Sequence, residues 1–287
     1  MARSRILRSL GLILAFAVSL SAQFAPHVPA PAKYLARFGV KFKDKLIPET
    51  LAVPGKPYRL GRFEVTNAQF GEFTRATKYV TDSEREGTCQ GFTADGKWTA
   101  AAGLTWRSFA GAGREDYPVV CVSPNDAQAY LQWLSDLTKD VYRLPTEAEW
   151  QYGACTGQNE RFPWGDTWNR KRANSLSYWL DRDLDEKSWS FALFEELAYP
   201  LARERGGTLL TRVDMFRPND WGFHNMVGNA WEMTRREGPG EKKIAVRGGS
   251  WHNNLELASC HGRDEFPDEK YRDDGVGFRV LLEPRAK

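Results

Sequence analysis

The chain has 287 residues, of which 41% are hydrophobic and 27% charged, with a net charge of +3. That length and balance describe a globular protein with room for a sizeable core. A charge this small, with no long basic run, argues against a nucleic-acid partner.

Arg3, Arg5 and Arg8 precede a short apolar stretch from Leu10 to Leu20, and small residues follow at Ser19, Ser21 and Ala22. This is the pattern of a secretory signal over residues 1–22, and the apolar run falls short of the roughly 20 residues that span a bilayer. No adjacent Arg-Arg pair is present, so general secretion is expected, with an uncleaved anchor as the alternative. A Pro-rich segment, Phe24-Ala-Pro-His-Val-Pro-Ala-Pro31, follows and reads as a tether within residues 23–40. The mature protein is therefore expected to be soluble and periplasmic or secreted, where disulfides are permitted. Its four cysteines, Cys89, Cys121, Cys155 and Cys260, allow three pairings. None forms a Cys-x-x-Cys motif of the kind that binds zinc.

Leu60-Gly-Arg-Phe-Glu-Val65 reads as a strand, and a helix is expected from Thr66 or Asn67 with Phe70 and Phe73 on one face. A second helix is expected after Ser123, with Asp126 in a capping position and Ala127, Tyr130, Leu131 and Leu134 facing inward. Thr146-Glu-Ala-Glu149 has the form of a capping box, which gives Glu147 and Glu149 a structural rather than an acid–base role. Phe162-Pro-Trp-Gly-Asp166 reads as a rigid aromatic turn. Asp181 to Arg205 is charged and helical in pattern. Glu195, Glu196, Arg203 and Arg205 are expected on its solvated face.

Four further motifs occur in order: Arg143-Leu-Pro-Thr-Glu-Ala-Glu-Trp150, Val227-Gly-Asn-Ala-Trp-Glu232, Arg247-Gly-Gly-Ser-Trp251 and Gly277-Phe-Arg279. Together with the aromatic turn they resemble the formylglycine-generating enzyme, or sulfatase-modifying factor, family over roughly Leu60 to Val280. The resemblance implies a compact single α+β domain of the C-type-lectin-like kind, with little regular secondary structure. It would occupy residues 41–287, with a divergent insertion near 181–210. It also implies structural calcium at the positions of Asn225, Gly228, Ala230 and Glu232. Asn225 and Glu232 would offer hard oxygen ligands there, and Gly228 the tight backbone that turns carbonyls inward. A metal-free turn closed by Glu232 is the plain alternative. Arg247 and Arg279 are expected to order loops by pairing with carboxylates. A bridge between Cys155 and Cys260 is a further implication, leaving Cys89 to pair with Cys121.

Where the family carries two copper-binding cysteines, this chain reads Trp251-His-Asn-Asn-Leu-Glu-Leu-Ala-Ser259. The first position falls on Asn253 and the second near Leu257 or Ala258. Thiolate pairs select Cu(I), so copper held by a cysteine pair is not expected. The altered loop instead holds Glu256 and Glu265 as candidate bases, flanked by His252 and His261 as candidate proton carriers or metal ligands. A solvated acidic loop is the simpler reading of those carboxylates.

Loss of the cysteines, export and a single domain resemble the periplasmic pyoverdine-maturation proteins. The resulting expectation is an exported oxidative tailoring enzyme that matures a secreted peptide or siderophore, with a peptide or small molecule as substrate. The competing expectation is a non-catalytic envelope module that binds another envelope protein.

Overall fold

The computed structural model describes residues 46–184, 190–236, 244–253, 257–265 and 268–284. Signal, tether and Glu256 lie outside them. Three small sheets and six α-helices make up the described part. In one sheet β1 (Thr50–Ala52), β2 (Arg59–Gly61), β10 (Leu281–Leu282) and β5 (Tyr142–Arg143) follow in that order, all antiparallel. A hairpin pairs β3 (Thr88–Phe92) with β4 (Trp98–Ala102). The third sheet runs β8 (Arg263–Glu265), β7 (Ile244–Arg247), β6 (Trp231–Arg235) and β9 (Val276–Gly277), with β9 parallel to β6.

The helices start where the sequence places caps. α1 (Asn67–Thr77) is capped by Thr66, and α2 (Asp82–Glu86) by Thr81. α3 (Pro124–Thr138) begins at Ser123, whose hydroxyl accepts from the Asp126 N–H at 3.2 Å. α4 (Glu147–Ala154) begins at Thr146, and the Glu149 carboxylate accepts the Thr146 N–H at 2.8 Å. Both orphan donors at that end are thus satisfied reciprocally. Glu149 also takes a two-pronged pair from Arg143, at 2.7 and 2.8 Å. Its role is the structural one expected.

α1 and α3 bury their predicted faces against each other. Phe70 packs on Tyr130 at a ring separation of 5.9 Å, and Tyr130 meets Phe278 edge-on at 5.6 Å. A second core forms around Leu60, Trp150, Phe223 and Leu281, where α4 meets the first sheet. The aromatic turn is as expected, with Phe162 and Trp164 stacked at 5.4 Å and Phe162 bridged to Gly165.

α5 (Leu176–Leu180) and α6 (Phe191–Glu204) fall in or beside the divergent region. Glu196, Arg203 and Arg205 are exposed, as expected. Glu195 is not part of a purely solvated face: it accepts the Trp98 N–H and the Lys97 ammonium, both at 2.9 Å. The edge of β4 presents an N–H that needs an acceptor, and Glu195 supplies it. Phe194 is buried on the same side. Among the described residues no helix is long and apolar enough to cross a membrane.

Cys89 and Cys121 form a disulfide. The other pairing implied by the resemblance is not made. Cys155 and Cys260 are buried thiols, hydrogen-bonded to one another in the second core. That contact and burial push the Cys260 thiol far up, so it is no ready nucleophile.

Candidate functional site

Two strand ends place the site. After β7 the chain turns through Gly248 and Gly249, both at positive φ, and delivers Trp251 and His252 inward. Just before β9 it presents Asp273 and Asp274. This second segment is clamped on several sides by backbone bonds. The Asp274 N–H donates to the Gln90 carbonyl at 2.9 Å, and the Asp273 carbonyl accepts from the Cys121 N–H at 2.9 Å. The Gly275 carbonyl accepts from the Trp231 N–H at 2.7 Å.

Within this frame His252 Nε2 lies 2.9 Å from Asp274 Oδ1. Trp98 Nε1 donates to the same oxygen at 3.1 Å. Asp273 accepts from the Tyr271 hydroxyl at 3.0 Å and from the Gly275 N–H at 2.7 Å. All three of His252, Asp273 and Asp274 are buried. Burial, reinforced by the Asp274 charge, pushes the Asp273 carboxyl up to about 6. A side chain at Gly275 would lie 2.6 Å from the His252 ring, so only glycine lets the imidazole reach Asp274.

Aromatic side chains wall the imidazole. Trp251, Phe194 and Trp98 have ring centres 4.0, 5.2 and 5.6 Å from it. Phe191, at the start of α6 and exposed, meets Trp98 edge-on at 5.9 Å. The divergent region therefore supplies part of the wall. An aspartate set against a histidine in such a setting fixes the ring, the arrangement of a proton carrier.

The other sequence candidates lie elsewhere. His261 is exposed, and its Nδ1 is 3.0 Å from Gln151 Nε2 on α4. Glu265 sits on β8, paired with Arg263 at 2.9 Å and Arg236 at 3.4 Å. It lacks the desolvated setting that makes a carboxylate a good base. Asn253, at the first copper position of the resembled family, closes a turn by accepting the Ser250 N–H at 2.7 Å. The second falls near Leu257, which is half-buried, or Ala258, which is buried. Sequence reasoning missed Asp273 and Asp274, which lie outside every motif. Their proximity to Gly277-Phe-Arg279 was the only signal.

The region named for calcium is a second buried polar cluster. Asn225, Gly228 and Asn229 all have positive φ, and a side chain at Gly228 would lie 2.2 Å from the Asn174 carbonyl. The Asn225 amide donates to Glu64 Oε2 at 3.2 Å and to the Val213 carbonyl at 3.1 Å, while its Oδ1 is buried without a partner among the described residues. Glu232 accepts from Trp150 Nε1 at 2.6 Å and is gripped by the Arg279 guanidinium. Burial and the Glu232 charge push the Glu64 carboxyl up to about 8. An unpartnered amide oxygen among carboxylates fits a hard cation, although Glu232 already has a cationic partner in Arg279.

Comparison with known proteins bears on the scaffold. The family model for the sulfatase-modifying factor enzyme 1-like domain matches residues 37–284. The chain belongs to that family. It is 34% identical over 197 residues to the formylglycine-generating enzyme of Thermomonospora curvata, an alignment covering 61% of this chain and 58% of that protein. The bovine formylglycine-generating enzyme is 33% identical over 200 residues, covering 62% of this chain and 48% of its own length. The chain thus spans about half the length of these two relatives. A bovine protein named inactive Cα-formylglycine-generating enzyme 2 is 30% identical over 257 residues, covering 78% and 76%. Among solved structures, PvdO from Pseudomonas aeruginosa superposes with a TM-score of 0.55 at 22% identity, covering 82% of this chain and 90% of its own. That likeness is one of fold.

Proposed function

We propose that this chain is an exported tailoring enzyme that oxidises a secreted peptide or small molecule, with His252 and Asp274 at its reactive centre. The observation that carries the reading is the buried His252–Asp274 pair, walled by aromatic rings, with His252 in the loop where the family's redox cysteines are replaced. Removing two hydrogens from a substrate yields two protons and two electrons. Dioxygen, as co-reactant, accepts both and leaves as hydrogen peroxide. His252 takes a proton, Asp274 stabilises the resulting imidazolium, and the aromatic wall orients an apolar or planar substrate. Copper held by a cysteine pair has no part in this reading, since the first position holds Asn253 and the second falls near Leu257 or Ala258. Calcium at Asn225, Gly228, Ala230 and Glu232 would fix loops and take no part in the chemistry.

The test compares small-molecule extracts, by accurate mass, from a deletion strain complemented with wild type or with His252→Ala. An intermediate two hydrogens heavier than the product should accumulate in the deletion and the variant alike. Indistinguishable extracts under several growth conditions, iron limitation included, would overturn the reading. The second reading, a non-catalytic binding module for an envelope protein, is favoured by the similarity to a relative named inactive. It predicts that same absence of metabolite change, together with a stable complex recovered from the cell envelope.

A further inference from the structure

We propose that His252, Asp273 and Asp274 hold a divalent first-row transition-metal ion. The inference deepens the tailoring reading and rests on it for the ion's role: an imidazole that ligates the ion through one nitrogen keeps only the other for proton transfer, and Asp274 then faces the ion in place of an imidazolium. Binding itself can be tested without turnover.

The argument begins with charge. Two adjacent carboxylates, Asp273 at 6% exposure and Asp274 at 1%, are buried together with an imidazole at 8%. Burying charge without compensation is costly, and buried carboxylates are ordinarily paired or bound to metal. Potential ligand atoms of the three residues all lie within 4.8 Å of one another, close enough for one ion to touch each. Asp274 Oδ2 is buried and accepts no hydrogen bond from the described residues. That orphan oxygen is what a cation would satisfy. Gly91 leaves room beside it: a side chain there would lie 3.2 Å from Oδ2.

Donor chemistry narrows the ion. Imidazole with carboxylates suits manganese, iron, cobalt or zinc; without thiolates the set does not select Cu(I). The surroundings resemble those of metal sites, where outer partners orient the ligands. Tyr271 and the Gly275 N–H hold Asp273, and Trp98 holds Asp274. Three protein ligands would leave coordination positions open for water or substrate.

The experiment uses the full mature chain, stripped with chelator and dialysed into saturating Ca²⁺ so that a calcium site is not counted. Titration with Co²⁺ and Zn²⁺, followed by cobalt absorption and intrinsic tryptophan fluorescence, should show one ion per chain, confirmed by elemental analysis. Asp274→Asn and His252→Ala should each weaken binding at least about 100-fold, and Tyr271→Phe about 10-fold, an outer-partner effect. Circular dichroism checks folding; if Asp274→Asn does not fold, His252→Gln and Tyr271→Phe decide. Folded wild type that binds no ion, or variants that bind as tightly as wild type, overturn the proposal. Metal bound with unchanged extracts would instead sink the tailoring reading and leave the site standing. Altered extracts without metal would do the reverse.

Discussion

Cys121 donates its main-chain N–H to the Asp273 carbonyl at 2.9 Å, while its side chain is bonded to Cys89, the residue before Gln90. Gln90 in turn accepts from the Asp274 N–H, also at 2.9 Å. The disulfide therefore staples together the two backbones that hold the buried carboxylates. The bridged residues are 32 apart in sequence, for which the chain-entropy estimate is about 3–4 kcal/mol. Cys89→Ser with Cys121→Ser should lose about that much in denaturant unfolding. It should also weaken activity at temperatures where the fold persists, because a site loosened by an ångström loses its alignment. Full activity in the folded double variant would show that the clamp on Asp273 does not need the bridge.

Arg279 and Glu232 are both fully buried and ion-paired, and Arg279 also donates to the carbonyls of Gly61 at 2.8 Å and His224 at 2.9 Å. Arg279→Met leaves Glu232 and neighbouring Glu64 without their cation. Breaking a buried pair this way costs about 3–5 kcal/mol. Arg279→Lys should recover only part, since an ammonium cannot reproduce the two-pronged grip on Glu232. Unfolding midpoints for both variants decide this; a lysine variant as stable as wild type would reduce the interaction to charge alone.

Asp126 gives a pH dependence with a defined sign. Burial, with the Asp82 charge as a lesser contributor, raises its carboxyl to about 6 from an ordinary value of 3.8. The folded state therefore holds a proton that the unfolded chain has released between those values. This group's contribution to stability is full below about 4 and declines as pH rises through 6. The limit is about 3 kcal/mol for a shift of this size. Asp126→Asn cannot ionise, so wild type should lead the variant by more at pH 4 than at pH 8. A lead that grows with pH would reverse the assignment.

Calcium should raise the melting temperature if it occupies the Asn225 cluster. At a concentration 100-fold above Kd, binding stabilises by about 2.7 kcal/mol, or several degrees for a chain of this size. Chelation should remove the increment, calcium should restore it, and Asn225→Ala should abolish the response to calcium. Equal melting curves with and without calcium in the wild type would exclude the ion.

The caps, the aromatic turn and the inner faces of α1 and α3 were legible because each depends on neighbours within four residues. Thr146 and Glu149 meet whatever the rest of the chain does. The Cys89–Cys121 bridge followed only from the family's implied pairing of the other two cysteines, and those two remain thiols. The site itself is non-local. His252 and Asp274 lie 22 positions apart and meet only because β7 and β9 flank the same strand, β6. Nothing in the spacing of an isolated Asp273-Asp274 marks it as buried. Glu195 misled for the related reason that its partner, the N–H of Trp98, lies 97 positions away.

Phe191 tests whether the divergent region serves the site. It is 47% exposed yet packs edge-on against Trp98, whose indole holds Asp274. Because so much of its surface already faces water, Phe191→Ala removes little buried area and should shift stability by about 1 kcal/mol or less. If the ring helps to seat substrate, KM should rise several-fold with kcat nearly unchanged, the signature of binding lost equally in ground and transition states. The assay uses whichever substrate the extract comparison identifies. Unchanged KM in a folded variant would confine α6 to a structural role against the β3–β4 hairpin. A fall in kcat instead would mean that the ring positions Trp98, and through it Asp274, during the reaction.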